Sequence, residues 1–155
     1  MQNLWLFFVI GAALSWGAYG PALHTGQAGF PEKATASLRA LLCVGVAYFL
    51  VAVLVPLFAL WGQGKLDGFT MKGSVYSTLA GILGAAGAVC IIWAFQNGGK
   101  PFIVMPLVFA GAPIINAIVS MVIHPPERST LHPLLFVGFA FAAAGAWLVL
   151  RYKPA

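Results

Sequence analysis

Few side chains in this sequence could do chemistry, and several of them stand inside or at the ends of long apolar stretches. Arg39, Gln96 and Asn116 offer hydrogen-bonding groups at such positions. Asn116 has donor and acceptor sites that apolar surroundings cannot satisfy. Such a side chain either joins neighbouring helices or contacts a polar solute. We therefore take these three residues as candidate substrate-binding groups. For Asn116 a role between helices stays open, and for Arg39 a side chain that extends to the membrane interface.

Four large aromatic side chains accompany these polar groups: Trp16, Tyr19, Tyr48 and Trp93. They could form the aromatic wall of a solute cavity, and we include them among the candidate substrate-binding residues. Tryptophan and tyrosine near the ends of membrane spans also serve as interfacial anchors. The sequence leaves both interpretations open.

The remaining reactive side chains do not predict catalysis. The three acids and three histidines lie near the boundaries of the apolar stretches, and no nucleophile, base and orienting group can be assembled from them. His124 and His132 flank a turn that contains Glu127, without the regular ligand spacing of a metal site. Cys43 and Cys90 fall inside apolar stretches and act as small fillers. We expect no enzymatic activity, no cofactor and no metal.

Composition decides which solvent surrounds the chain. The 155 residues are 61% hydrophobic and 7% charged, with 5 positive charges in excess, whereas soluble domains carry roughly 25% charged residues. Mean hydropathy is +0.95. The sequence therefore predicts a membrane protein. Its basic residues mostly flank the apolar stretches, which indicates contact with lipid headgroups rather than with nucleic acid.

Five apolar stretches are long enough to cross a bilayer, which takes about 20 residues each. We place them at 4–23, 40–61, 74–95, 101–123 and 131–150. Helices are expected because lipid offers no hydrogen-bond partners to an open strand. The prediction is an all-α integral membrane protein whose residues 1–155 form one transmembrane domain, a five-helix bundle. The loops are too short for a soluble domain.

The basic residues also predict an orientation. Lys33, Arg39, Lys100, Arg151 and Lys153 lie on the side of the C-terminus, against Lys65, Lys72 and Arg128 on the other. Because basic residues favour the cytoplasmic side, we expect a cytoplasmic C-terminus. We place the protein in the bacterial inner (plasma) membrane as a multi-pass protein.

The fourth stretch contains helix-breaking residues where a plain span would need none. Pro106 and Pro113 are interior, with Gly111 between them, whereas Pro101 begins the helix at little cost. Broken helical hydrogen bonds are tolerated in a membrane only against protein or a polar cavity. We therefore predict that this span faces inward and that Pro106, Gly111 and Pro113 form a hinge, although a kink that only shapes packing remains an alternative.

Two spans carry small residues at helical spacing. They are Ser74, Ser77, Gly81, Gly84 and Ala88 in the third span and Gly138, Ala142 and Gly145 in the fifth. Such residues let helix backbones approach each other in lipid. They predict either an oligomer contact or packing within the bundle alone.

The order of several motifs is similar to that of a known family. These motifs are Trp16-Gly17 within "LSWGAYGPAL", Arg39 within "ASLRALLCVGVAY", Trp93-Ala94 at the end of the Gly-rich third span, Pro106 in the fourth span, and the small residues of the fifth. Together they resemble one five-helix repeat of the drug/metabolite transporter (DMT) superfamily, of the EamA-like type. The resemblance covers nearly the whole chain.

The resemblance implies a fold and a function. Members normally contain two such repeats of inverted topology, ten helices around a solute pathway, so this chain would be half of a ten-helix transporter. It would need a second copy of itself, which could be antiparallel, or subunits of a larger membrane complex. The resemblance also implies that Arg39 faces the mouth of the bundle and attracts a small polar or anionic solute.

Two functions are therefore expected. The first is a small-solute transporter that acts as a homo-oligomer with alternating access. The second is a non-transporting structural subunit of a larger complex built on the same fold. No acidic residue lies within a predicted span. Proton exchange through an embedded glutamate, as in the small four-helix multidrug relatives, is therefore not expected.

Overall fold

The computed structural model describes residues 4–123 and 132–154, and throughout these ranges the regular structure is helical. The helices are α1 (Leu4–Gly29), α2 (Ala36–Tyr48), a π-helical segment (Phe49–Leu54), α3 (Val55–Gly62), α4 (Met71–Gln96), α5 (Pro101–Ile123) and α6 (Leu134–Arg151). The π segment joins α2 and α3 into one rod, Ala36–Gly62. The described chain thus has 5 helical rods long and apolar enough to cross a membrane. The predicted all-α class is confirmed, and the five rods are those expected of a multi-pass integral membrane protein.

Residues 1–98 form one compact unit, in which α1, α2 and α4 pack against each other. Its buried side chains come from the last turns of α1, the first turns of α2 and the last turns of α4. Gly20, Ala36, Ala40 and Ala88 are among the buried residues, and their small size lets the three backbones approach closely. Packing in this unit is therefore concentrated where α1 ends, α2 begins and α4 ends.

The irregular backbone of the second rod has a cause in the sequence. Pro56 lacks an N–H, so it cannot donate to the carbonyl of Ala52, four residues earlier, and its ring would crowd that carbonyl. The π-helical turns of Phe49–Leu54 lie just before Pro56. A wider turn moves the carbonyl away from the ring, which lets the rod continue through a proline.

A tight turn follows α4. Gly98 has a φ of +87°, a left-handed conformation that costs other residues free energy. Its N–H donates to the carbonyl of Phe95 at 3.1 Å, and the N–H of Asn97 donates to that of Trp93 at 3.0 Å. The Asn-Gly pair thus closes the last turn of α4.

Residues 99–155 form the other compact unit, in which α5 and α6 pack together. The half-buried residues of α6 recur at helical spacing, at Phe139, Ala142, Ala146 and Val149. His132 Nδ1 accepts a hydrogen bond of 3.3 Å from the N–H of Leu134, at the start of α6. The predicted turn with His124, Glu127 and Arg128 lies outside the described residues.

The glycines of the two small-residue stripes do not sit at helix contacts within the described chain. A Cβ atom added to Gly81, Gly84, Gly138 or Gly145 would meet nothing within 4 Å. Ala88, by contrast, is 8% exposed and belongs to the packed end of α4. Most of each stripe is therefore open surface on its own unit.

Candidate functional site

A chain of polar side chains joins the three helices of the first unit at their packed end. Gln27 of α1 donates from Nε2 to Ser37 Oγ of α2 at 2.7 Å and to the carbonyl of Ile92 in α4 at 3.3 Å. Ser37 Oγ in turn donates to Oε1 of Gln96, at the end of α4. Gln27 is 7% exposed and Ser37 is 1% exposed. We call Gln27, Ser37 and Gln96 the amide cluster.

The partners fix the direction of these hydrogen bonds. The carbonyl of Ile92 can only accept, so the nitrogen of the Gln27 amide must face it. The oxygen of this amide, Gln27 Oε1, is then the atom left over, and it has no hydrogen-bond partner among the residues that the structure describes. A buried acceptor without a partner costs about 1–3 kcal/mol. The Gln27 side chain therefore keeps a buried acceptor without a partner, which is unfavourable for the free energy of folding.

A cavity of about 340 Å³ lies beside the amide cluster. Its lining includes the polar side chains of His24, Gln27, Lys33 and Gln96 and the apolar ones of Ala36 and Phe95. The volume falls in the range of small-molecule sites, roughly 300–1,000 Å³. The cavity combines an apolar wall with a few polar groups, which is the usual composition of such a site.

The charge of the cavity is positive. Lys33 is a lining residue, and its Nζ donates to the carbonyls of Ala28 at 2.5 Å and Phe30 at 3.3 Å, around the end of α1. Those bonds use two of the three donors of this exposed side chain. No acidic residue is among the side chains that line the cavity in the described part of the chain. His24 packs edge-on against Phe95, with ring centres 5.3 Å apart.

Tyr19 lies on the same side of α1 as Gln27, since residues 19, 23 and 27 are one helical turn apart. Its hydroxyl is buried and has no hydrogen-bond partner among the described residues. Leu23, between them, is 8% exposed. The inner side of α1 thus carries two unused polar atoms, one in the span and one at its end.

Arg39 is engaged in an ion pair. Its guanidinium donates to Glu32 Oε2 at 2.8 Å, and the Thr35 hydroxyl donates to the same oxygen at 2.8 Å. The side chains of Arg39 and Glu32 are 41% and 58% exposed. This arrangement ties the α1–α2 loop to the first turn of α2, and Arg39 does not line the cavity.

The three other aromatic candidates are spread over the first unit. Trp16, Tyr48 and Trp93 are all exposed. The carbonyl of Trp93 accepts from Asn97 Nδ2 at 2.8 Å. None of the three lines the cavity in the described chain, and their role as solute contacts stays a prediction.

The candidates in α5 belong to the second unit and are described with it alone. Pro106, Pro113 and Asn116 are exposed and Gly111 is half-buried, in a segment that is helical throughout Pro101–Ile123. The hinge at Pro106, Gly111 and Pro113 and the contact of Asn116 with a solute stay predictions.

Gln96 was predictable from the sequence as a candidate site residue, whereas Gln27, Ser37, His24 and Lys33 were not predicted as components of one site. Gln27, Lys33 and Ser37 lie between the predicted spans 4–23 and 40–61, whereas α1 continues to Gly29 and α2 begins at Ala36, so that Gln27 and Ser37 are helical. One signal could have found Gln27: it stands four residues after Leu23 and eight after Tyr19, in helical register with both.

Comparison of the chain with family models, with curated proteins and with solved structures finds no match. The likeness to a transporter family therefore depends on the sequence motifs described above.

Proposed function

We propose that the chain is a small-solute or metabolite transporter of the DMT superfamily, EamA-like type, which acts as a homo-oligomer with alternating access. The observation that carries this proposal is the amide cluster beside its cavity. Polar groups are expensive in a membrane protein, and where they occur they commonly mark a pathway. We take the polar residues Gln27, Gln96 and Lys33 at a cavity in a chain this apolar as the support for a solute route.

The proposed orientation predicts on which side of the membrane the cavity lies. It lies where α1 ends and α2 begins, the side on which the C-terminus of a five-span chain also lies. With a cytoplasmic C-terminus, the cavity is the cytoplasmic entrance of the solute route. Lys33, a lining residue, then gives this entrance a positive charge that draws polar or anionic solutes toward it.

The homo-oligomer is proposed because the described residues supply five spans, half of the ten that the resemblance implies. Gly81 and Gly84 of α4 and Gly138 and Gly145 of α6 are open surface in their own units, and such surfaces let a second helix approach closely. Alternating access would use the proline-containing α5, with Pro106, Gly111 and Pro113 as the hinge and Asn116 as a solute contact.

Reconstitution tests transport directly. Purified protein would be placed in proteoliposomes and exposed to a panel of small neutral and anionic metabolites, with charge movement or isotope uptake as the readout. We expect flux for a subset of the panel and its loss in the double variant Gln27→Leu/Gln96→Leu. Gln63→Leu, the same change at an exposed position after α3, serves as the control and should retain flux. Absence of flux for every solute in a monodisperse preparation would refute transport.

The second candidate is a structural subunit of a larger membrane complex. The same open glycine surfaces favour it, since they would accept helices of other proteins as readily as those of a second copy. Mild-detergent purification separates the two. A homo-oligomer supports the transporter, whereas fixed-ratio co-purification with other subunits supports the structural role.

A further inference from the structure

We propose that the π segment, Phe49–Leu54, is a pivot at which the second rod bends, so that α3 moves while α2 stays fixed. This inference deepens the proposed function, because it names a part of the chain that moves in alternating access, in addition to the hinge predicted in α5. It rests on that function only for the purpose of the movement. The bending itself does not require that any solute is transported.

The first half of the second rod is held in place. Ala36, Ser37 and Ala40 are buried where α2 packs against α1 and α4. Ser37 also accepts a hydrogen bond from Gln27 of α1 and donates one to Gln96 of α4. Movement of this half would break close packing and the hydrogen bonds that connect α2 to both helices. The start of the rod is therefore fixed beside the cavity.

The second half of the rod is not held in this way. Neither the π segment nor α3 packs against α1 or α4 in the described part of residues 1–98. None of the side chains of Phe49–Leu54 or Val55–Gly62 is buried. In lipid, the association of helices depends on close backbone packing and hydrogen bonds. Displacement of this half therefore disrupts no packing on α1 or α4.

The backbone of the π segment is the reason to place the bend there. Sharp kinks in helices occur mainly at prolines and at π turns, and the second rod has both, since Pro56 lies two residues after the segment. Pro56 cannot donate a helical hydrogen bond. Pro21, Pro106 and Pro113, by contrast, stand in helices that remain α-helical around them. Among the interior prolines of the described rods, Pro56 is therefore the one with an altered helical backbone beside it.

The movement would occur on the side of the membrane opposite to the cavity. Ala36 lines the cavity at the start of the rod, and the rod of 27 residues extends about 40 Å from there. A bend of about 20° in the middle of the π segment displaces Ala59, about 11 Å further along, by about 4 Å. α3 would then open or close the far side of the unit while the amide cluster keeps the cavity side unchanged.

The experiment measures distances between spin labels by electron paramagnetic resonance, in the full chain in lipid nanodiscs and without solute. The chain has 2 cysteines, Cys43 of α2 and Cys90 of α4, and both are exposed. This native pair reports on the fixed half of the rod. The variant Cys43→Ala/Ala59→Cys moves one label to an exposed position of α3 and reports on the far half against the same Cys90. Dilution with unlabelled protein restricts the measurement to distances within one chain.

The two label pairs should differ. We expect a narrow distance distribution for Cys43 with Cys90. The distribution for Ala59→Cys with Cys90 should be broader by about 4 Å or split into two distances. Equal widths for the two pairs would overturn the inference. This comparison needs no proline variant to fold.

Two proline variants test the cause of the bend. Pro56→Ala restores the missing N–H and should narrow the distribution between Ala59→Cys and Cys90 toward that of the native pair. Pro21→Ala, at an exposed proline of α1, should leave it unchanged. A broad distribution that Pro56→Ala does not alter would overturn the assignment of the pivot to this segment.

Flux measurements separate this inference from the proposed function. A broad distribution for α3 without flux of any solute would support the pivot and refute transport. Flux together with equal widths of the two distributions would support transport and refute the pivot.

Discussion

Replacing Ser37 by alanine removes the central atom of the amide cluster. Its hydroxyl oxygen accepts from Gln27 and donates to Gln96, so the variant loses two hydrogen bonds between helices. The residue is 1% exposed, and little water can replace the missing partner. Ser37→Ala therefore tests whether the cluster holds α1, α2 and α4 together.

The magnitude follows from two ranges. A hydrogen bond contributes about 1 kcal/mol in soluble proteins, whereas hydrogen bonds between membrane helices average about 0.6 kcal/mol. Two bonds therefore contribute about 1–2 kcal/mol to the free energy of unfolding. For a chain of this size each kcal/mol changes Tm by about 2–4 °C, so the variant should melt about 2–8 °C lower.

Thermal unfolding in detergent, followed by tryptophan fluorescence, measures this change. Ser15→Ala is the matched control, because Ser15 is exposed on α1 and the same substitution there should change stability by about 0.5 kcal/mol or less. Equal Tm values for the two variants would refute the role of the cluster. A double-mutant cycle with Gln96→Ala adds a second test: strict additivity would show that Ser37 and Gln96 do not interact.

Three further perturbations have defined outcomes. Gly98→Ala should lower Tm by the equivalent of about 1 kcal/mol, because the φ of Gly98 is +87°. Gly87→Ala is the control: a Cβ there meets nothing within 4 Å, so Tm should be unchanged or higher. Equal losses of Tm in the two variants would contradict the turn assignment. Glu32→Gln should change the free energy of unfolding by less than about 1 kcal/mol, since the pair with Arg39 is exposed, and chemical denaturation that shows a larger loss would contradict this. Gly84→Leu should reduce the homo-oligomer to a smaller species in light scattering without lowering helicity. Gly11→Leu, the control, should leave the oligomer intact. An intact oligomer in Gly84→Leu would exclude this stripe as the contact.

The fold class was predictable because apolar length is a strong signal, and the ends of the helices were not. The first span was predicted to end at residue 23, whereas α1 continues to Gly29. Thr25 and Gln27 are polar, but they do not break a helix, and Pro31 disfavours a helical conformation of Phe30, the residue just after the end of α1. Hydropathy marks where a chain leaves the hydrocarbon core, whereas backbone chemistry marks where its helix stops.

The amide cluster depends on those extra turns, which explains why only Gln96 was foreseen. Gln27 and Ser37 meet across ten residues of sequence because both lie in helix, at the end of α1 and the start of α2. The contact of Gln27 with the carbonyl of Ile92 joins residues 65 positions apart. Contacts of that range depend on which helix faces touch, and apolar patterning says little about this when the faces are apolar on every side.

The position of the cluster bears on how the chain assembles. In lipid, burial of apolar surface does not favour the association of helices, so their association depends on close backbone packing and hydrogen bonds. In the first unit these contacts are concentrated at one end of α1, α2 and α4, and the other parts of these helices are largely exposed. Gly81 and Gly84 lie on such an exposed part, where a backbone from another helix can approach as closely as at Ala88. We therefore expect assembly to add contacts along the open part of α4, while the amide cluster stabilises the packed end of α1, α2 and α4. A variant that dissociates the oligomer should then leave the cavity intact.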